Sequence, residues 1–416
     1  MPGELLRVVT AGSVDDGKST LVGRLLHDAR AVLSDQLSAV EAASERRGYN
    51  GADLALLVDG LRAEREQGIT IDVAYRYFAT ARRKFVLADA PGHVQYTRNT
   101  VTGASTADVA VILVDARNGV VEQTKRHTAV AALLRVEHVV LAVNKMDLVS
   151  YSEDAFDAIV STFASAADAL GVQSFTPIPI AARSGDNVVE RSARMPWYQG
   201  PTLLGFLEDV PLHRGPEVPA RVPVQMVMRP RSTDHPDYRG YAGRIEAGQL
   251  QVGDRVIILP SGIVSAVRGI DTADGTLPNA PAGRSVVVRL TDELDVSRGD
   301  VIAVDREPRP AVVRELTATV CWLSDRPLRV ADRFSMRHTT RAVRALVDAV
   351  VSRLDISTVT STTAGELQLN DIGVVRLRTA EPVAVDPYSL NRSTGAFLLV
   401  DELSGATAGA GMVSDG

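Results

Sequence analysis

The sequence predicts an α/β domain built on a mostly parallel sheet with helices on both faces, followed by two β-barrel domains. Three observations carry that prediction. Apolar runs alternate with helical patterns through the first half of the chain. After about Leu212 the helical periodicity fades, and short β-branched runs follow one another between Gly, Pro and Asp. A second series of such runs extends from Glu315 to about Asp401.

In the first domain, Leu5–Thr10, Phe85–Ala88, Val109–Val114, Val139–Val143 and Phe175–Ile180 read as buried strands. They are too apolar to alternate, as strands covered on both faces should be. Lys18–Asp28, Thr124–Leu134 and Glu153–Leu170 read as the intervening helices. Residues Ser34–Glu66 break the alternation with a long polar stretch, and such a segment inside a compact domain is usually functional. In the second half, Val222–Met228, Arg255–Leu259, Ser285–Leu290 and Val301–Val304 are typical short strands. Arg306-Glu-Pro-Arg-Pro310 reads as the linker between the barrels, and the Gly/Ala/Ser-rich tail from Ser404 reads as frayed. The expected domains are therefore 1–211, 212–308 and 309–416, the last with a flexible tail.

Length and composition agree with a globular protein of several domains: 416 residues, 45 % hydrophobic and 23 % charged. A net charge of −6 offers no basic footprint for nucleic acid. No apolar run approaches the roughly 20 residues that span a bilayer. Neither nucleic acid nor membrane is expected as a partner. The single cysteine, Cys321, lies in an apolar strand-like run and cannot close an internal disulfide, which fits a reducing, cytoplasmic setting. The N-terminal Met1-Pro-Gly-Glu4 lacks the pattern of a signal peptide. The seven histidines show no metal-ligand spacing.

Four short patterns carry chemistry. Gly12-Ser13-Val14-Asp15-Asp16-Gly17-Lys18-Ser19 fits G-x-x-x-x-G-K-[ST], follows a strand, and with Thr20 opens a helix. Its glycines let backbone N–H groups turn toward phosphate oxygens, and the helix N-terminus adds positive potential. Lys18 is placed to reach the β/γ-phosphates and the Ser19 hydroxyl to ligate Mg²⁺. Asp89-Ala90-Pro91-Gly92-His93 ends a strand. Asp89 can hold the Mg²⁺ through a water, since that ion keeps part of its shell. The Gly92 N–H can meet the γ-phosphate. His93 can position a water for in-line attack, and Lys18 and Asp15 join it as candidate catalytic residues. Asn144-Lys145-Met146-Asp147 follows the next strand but one. Asp147 can accept from guanine N1–H and the 2-amino group, Asn144 can tie loops together, and the Lys145 stem can cover the base. Ala181-Ala182-Arg183 completes the base site, with the Ala182 N–H placed for guanine O6. Within Arg65–Asp72, Thr70 is placed to give Mg²⁺ a second hydroxyl, making Ser34–Asp72 a candidate order–disorder switch.

In this order the motifs resemble those of the translation-factor superfamily of GTPases, which includes elongation factor Tu. Within it they are most similar to the large GTPase subunits of bacterial ATP sulfurylases. Ala55-Leu-Leu-Val-Asp-Gly-Leu61, Gln67–Phe78, Tyr96-Thr-Arg-Asn99, Asp115-Ala-Arg-Asn-Gly119, Met195-Pro-Trp-Tyr198, Gly200-Pro-Thr-Leu-Leu204 and Gly395-Ala-Phe397 carry the closer likeness, over nearly the whole chain. Elongation factors usually have histidine at the Asp16 position and a different sequence at Asp115–Gly119. The family usually has Thr at Ala90 and Ser at Ala181; losing the latter hydroxyl implies a weaker brace for the guanine loop. Gln95-Tyr-Thr-Arg98-Asn99 also looks like part of an ATP-binding motif, but falls just after Gly92-His93 without companion histidines, so it reads as switch and interface sequence.

The resemblance implies a GTPase subunit that binds GTP, GDP and Mg²⁺. Its hydrolysis would be coupled to ATP + sulfate → adenylyl sulfate + pyrophosphate, the first step of sulfate assimilation, with adenylyl transfer on a small catalytic subunit in a heterodimer or larger complex. It also places Val14 and Ile69 beside His93 as an apolar gate. Two alternatives stand beside it: a translation GTPase delivering aminoacyl-tRNA, and a GTP-binding scaffold with slow hydrolysis.

Overall fold

The computed structural model describes residues 4–31, 73–93, 97–212, 218–230 and 238–415, with isolated positions 38, 40, 44 and 54. The chain divides into two compact units, Met1–Leu212 with Asp355–Thr360, and His213–Leu354 with Ser361–Gly416.

The first unit is built on strands β1 (Leu5–Ala11), β2 (Ala74–Ala79), β3 (Lys84–Asp89), β4 (Val109–Asp115), β5 (His138–Asn144) and β6 (Thr176–Pro179), in the spatial order β2-β3-β1-β4-β5-β6. All pairings are parallel except β2 with β3, an antiparallel edge the apolar runs did not disclose. Every residue of β4 is buried, as the central strand of a sheet covered on both faces requires. The described helices are α1 (Lys18–Asp28), α2 (Thr97–Ala104), α3 (Glu122–Leu133), α4 (Glu153–Ala169) and α5 (Leu203–Asp209). Local chemistry explains the start of α4: the Ser152 side chain accepts from the Ala155 amide at 3.2 Å, and Glu153 and Asp154 sit at the positive end of the helix dipole. Its apolar stripe, Phe156, Ile159 and Phe163, packs into the core beside Val139–Val143.

The second unit contains two antiparallel sheets of seven strands each. In one, Arg255–Leu259 pairs with both Val301–Val304 and Ile263–Thr272, closing a barrel around Val222, Tyr241, Ile258, Val288 and Ile302. In the other, Arg333–His338 pairs with both Arg341–Asp355 and Ala396–Val400, closing a second barrel around Trp322, Phe334, Leu377 and Leu399. Residues 305–310, where the expected barrel division falls, form the connection between Val301–Val304 and Ala311–Trp322.

The expectation of a frayed tail is corrected. Thr407–Val413 is a strand paired on one side with Ala311–Trp322 and on the other with Ala396–Val400. The small residues that made it look like a tail are required by its neighbours. A side chain at Gly409 would come within 3.1 Å of the Trp322 ring, and one at Gly411 would drive into Phe397. The aromatic rings fill the space that glycine leaves.

A fully buried ion pair joins the two barrels. Arg221 opens a strand of the first and Asp386 follows a strand of the second; neither is exposed, and Arg221 Nε lies 3.3 Å from Asp386 Oδ2. Arg221 Nη1 also donates to the Pro219 carbonyl at 2.9 Å, and the Thr394 hydroxyl donates to Asp386 at 2.6 Å. Removing one partner of such a pair leaves a buried charge uncompensated, at a cost of about 3–5 kcal/mol. We expect Arg221→Ala to lower unfolding stability by about that amount in urea titrations of this unit. A change under about 0.5 kcal/mol would show that the pair is not needed to hold the barrels.

Candidate nucleotide site

The site is assembled at the C-terminal ends of β1, β3, β4 and β5, where the strands of an open α/β sheet present their loops. Its phosphate end is residues 12–19. Gly17 takes a left-handed conformation, φ 94°, and a Cβ there would lie 2.5 Å from Asn144 Nδ2, so glycine is required twice over. Lys18 begins α1 and is buried, its Nζ donating to the Gly12 and Ser13 carbonyls at 2.8 Å each. Burial pushes its pKa down, against the pull of Asp89, Asp16 and Asp15. Gly92 presses on the same lysine: a Cβ there would lie 2.6 Å from Lys18 Nζ and 2.8 Å from the Gly12 carbonyl oxygen. The second motif therefore meets the first through a position that admits no side chain.

Asp16 closes the loop from within. Its Oδ2 accepts the Ser13 amide at 2.5 Å, and burial raises its pKa although that hydrogen bond and Lys18 act the other way. Asp89, fully buried at the end of β3, lies across the sheet from Thr10 of β1. The Thr10 hydroxyl donates to Asp89 Oδ1 at 2.8 Å and the Ser19 hydroxyl to Oδ2 at 3.5 Å. This brings together two of the three expected metal-site residues; Thr70, like Ile69, lies outside the described residues. His93 is half-buried after Gly92, Val14 is 41 % exposed at the loop, and Asp15 is exposed with φ 65°. Thr20 sits half-buried on α1, and Ala90 and Pro91 are buried, the Ala90 amide donating to Thr10 O at 3.2 Å.

The base end turns on Asn144. Its Nδ2 donates to the Asp16 carbonyl at 2.7 Å, and its Oδ1 accepts the Ala182 amide at 3.0 Å. The first bond ties the loops, as expected. The second amends the reading of Ala182: the partner of that amide is the Asn144 carboxamide. Met146 is fully buried and begins a short 3₁₀ turn, Met146–Val149, with Asp147 as its second residue. Lys145 takes φ 62°, and its Nζ bonds Asp115 Oδ2 at 2.9 Å and the Asp15 carbonyl. Ala181 is buried, with its amide on the Asp186 carbonyl at 3.2 Å.

Several residues that sequence reasoning passed over act here. Arg24 of α1 donates to the Ala182 carbonyl at 3.1 Å and to that of Arg183, bracing the loop where Ala181 lacks the family's hydroxyl. Thr10 orients Asp89. His127 of α3 is buried and hydrogen-bonds the Gly12 backbone, with Gln123 Nε2 3.2 Å from its Nε2. Burial, then the nearby Lys18 charge, pushes its pKa down to about 3. Its one sequence signal is a histidine among the threonines and alanines of a helix face, which reads equally as core.

Fold and site together define a P-loop GTPase. Residues 3–228 match the family model of the elongation factor Tu GTP binding domain, and residues 315–414 match the GTP-eEF1A C-terminal domain-like model. The bifunctional enzyme CysN/CysC of Mycobacterium tuberculosis (strain CDC 1551 / Oshkosh) is 51 % identical over 412 residues, 98 % of this chain and 67 % of that protein. Sulfate adenylyltransferase subunit 1 of Aeromonas salmonicida (strain A449) is 48 % identical over 415 residues, 99 % of this chain and 87 % of that protein. The chain belongs to the sulfate adenylyltransferase subunit 1 family and carries the elongation factor Tu type of GTP-binding domain. A solved structure of sup35 complexed with GDP aligns over 99 % of this chain and 94 % of its own, at 24 % identity and a TM-score of 0.44, and adds nothing to that assignment.

Two outcomes test the site. Asp147→Asn turns an acceptor into a donor at the base edge, and sites built to hydrogen-bond a group reject the analogue lacking it by roughly 10⁴–10⁵. The variant should lose GTP and gain xanthosine triphosphate in equilibrium titrations; unchanged GTP binding would place guanine recognition elsewhere. The second concerns His127. Folded, it stays neutral down to about pH 3, whereas unfolded it takes a proton near pH 6.5. The unfolded state thus binds more protons in that window, and stability present above pH 6.5 is lost as pH falls. His127→Gln should flatten the decline in unfolding free energy between about pH 6.5 and 4; an identical slope would contradict the buried neutral imidazole.

Proposed function

We propose that this chain is the GTP-hydrolysing subunit of a two-subunit, cytoplasmic ATP sulfurylase. GTP turnover here would be coupled to ATP + sulfate → adenylyl sulfate + pyrophosphate on a smaller catalytic partner. The observation that carries the reading is the joining of Asn144 to both the phosphate loop and the Ala182 loop. This supports a guanine nucleotide at the phosphate loop, with Asp147 as the base-selecting residue, and the sequence holds no second such loop for ATP. Relatives named as sulfate adenylyltransferase subunits supply the chemistry, and the word subunit supplies the partner.

The residues divide the work as follows. Lys18 exchanges its bonds to the Gly12 and Ser13 carbonyls for the β/γ-phosphates, a charge-assisted contact in a buried setting. Asp147 selects guanine, and Asn144 keeps the base and phosphate loops in register. Gly92 brings its amide against the phosphate loop, and His93 beside it orients the attacking water. The Ser19 hydroxyl and the Asp89 carboxylate, 3.5 Å apart, are hard oxygen donors that fit Mg²⁺, with Thr70 as the third residue. These residues would hold an ion whose charge would offset that of the β- and γ-phosphates.

The isolated chain, given ATP, sulfate, Mg²⁺ and GTP, should hydrolyse GTP slowly and make no adenylyl sulfate. Adding the small subunit should start adenylyl sulfate synthesis and accelerate GTP turnover, and chelation should abolish the hydrolysis. His93→Ala should slow turnover by about 10²–10⁴ while GTP affinity stays nearly constant. Adenylyl sulfate from the isolated chain would refute the division of labour, and tight aminoacyl-tRNA binding would favour a translation factor.

A further inference from the structure

Asp115 belongs to none of the recognised guanine-site motifs, yet it stands at the centre of the base end. It is the last residue of β4, and the parallel register places it opposite Asn144, the last residue of β5. It is only 1 % exposed. A carboxylate in that position must be paired with charge or pay a large desolvation cost, and it is. Lys145 Nζ lies 2.9 Å from its Oδ2, Arg117 Nη2 lies 2.6 Å from the same oxygen, and Oδ1 accepts from Arg117 Nε at 3.1 Å and the Arg117 amide at 2.9 Å. Burial alone would raise its pKa, but the hydrogen bonds from Arg117 and Lys145 hold it well below the usual carboxylate range.

We propose that Asp115 is a positioning residue for the guanine nucleotide: it anchors the Lys145 ammonium between the end of β4 and the tip of the phosphate loop, so that the lysine stem, leaving the end of β5, is laid along the base. Two features of Lys145 require such an anchor. Its backbone is left-handed, φ 62°, a conformation that a non-glycine residue holds only when its surroundings enforce it. Its ammonium also bonds the carbonyl of Asp15, itself left-handed at φ 65°. Asp115 thus ties the base-covering residue to the loop that takes the phosphates. Arg117 shares the carboxylate from the solvent side and closes the turn that runs on through Asn118 and Gly119, whose amides donate to the Asp115 carbonyl at 3.0 Å each. The inference rests on the guanine-site reading above and adds to it a residue outside the motifs.

The test is a double-mutant cycle on the full-length chain, read by equilibrium binding and dissociation rate of fluorescent GDP and GTP analogues. Asp115→Ala should weaken binding by about tenfold to about a hundredfold, the scale of one charge-assisted hydrogen bond, chiefly through faster dissociation. Lys145→Ala should do the same, and the double variant should be weaker than Lys145→Ala by no more than about threefold, because partners in one interaction do not add. A purely structural Asp115 would give additive losses, which overturns the proposal; so would an Asp115→Ala chain that binds like wild type. Asp115→Asn, which keeps shape and one acceptor, should fall between wild type and Asp115→Ala. It carries the test if the alanine variant does not fold: weaker binding that vanishes in the Lys145→Ala background supports the anchor, and unchanged binding overturns it. If the wild-type chain itself binds no guanine nucleotide, the site reading fails rather than the anchor alone.

Discussion

The nucleotide site depends on one planar, buried group, the Asn144 carboxamide. Its two ends are spent on loops far apart in sequence, the Asp16 carbonyl on one side and the Ala182 amide on the other. Leaving either end unmade would cost about 1–3 kcal/mol in a buried setting, so the two loops are held in register by the same penalty. Gly17 is the matching concession in the backbone, because its missing Cβ is the space in which Asn144 Nδ2 sits. The spacing between the phosphate loop and the Ala182 loop is thereby set by the protein's own hydrogen bonds.

The parallel sheet supplies the rest of the geometry. Asp89, Asp115 and Asn144 end adjacent or near-adjacent strands, with Thr10 near the end of β1 between them. The two carboxylates are buried and each is handed to specific donors: Asp89 to Thr10 and Ser19, Asp115 to Lys145 and Arg117. Two lysines are drawn to this row of strand ends, Lys18 at the phosphate end and Lys145 at the base end, and both bond phosphate-loop carbonyls. A buried carboxylate without such a partner would shift its pKa and neutralise, so charge pairing fixes the side chains that the site uses.

In the barrels the determining constraint is volume and buried charge. Trp322 and Phe397 fill their barrel from neighbouring strands and force glycine at positions 409 and 411 of the strand between them. The Arg221–Asp386 pair is excluded from water and completed by Pro219 and Thr394. Neither arrangement leaves a signature in composition, which is why Gly- and Ala-rich residues near the C-terminus read as a tail and why Arg221 drew no reading at all.

The sequence by itself determined what depends on neighbours along the chain. The phosphate loop, the Asp89–His93 and Asn144–Asp147 motifs, the helix starts at Lys18 and Glu153 and the change from α/β to β texture all rest on turn and periodicity rules that act over a few residues, whereas the short helices Thr97–Ala104 and Leu203–Asp209 were not legible in it. Tertiary structure alone decided the partners of those motifs: Thr10 with Asp89, 79 positions apart, Arg24 with Ala182, 158 apart, Lys145 with Asp115, and the Thr407–Val413 strand between Ala311–Trp322 and Ala396–Val400. The physical reason is the order of the strands. In β2-β3-β1-β4-β5-β6 the chain leaves and re-enters the sheet out of sequence. Which buried polar groups face one another therefore follows from packing the sheet and satisfying every hydrogen bond within it, and no local pattern records that.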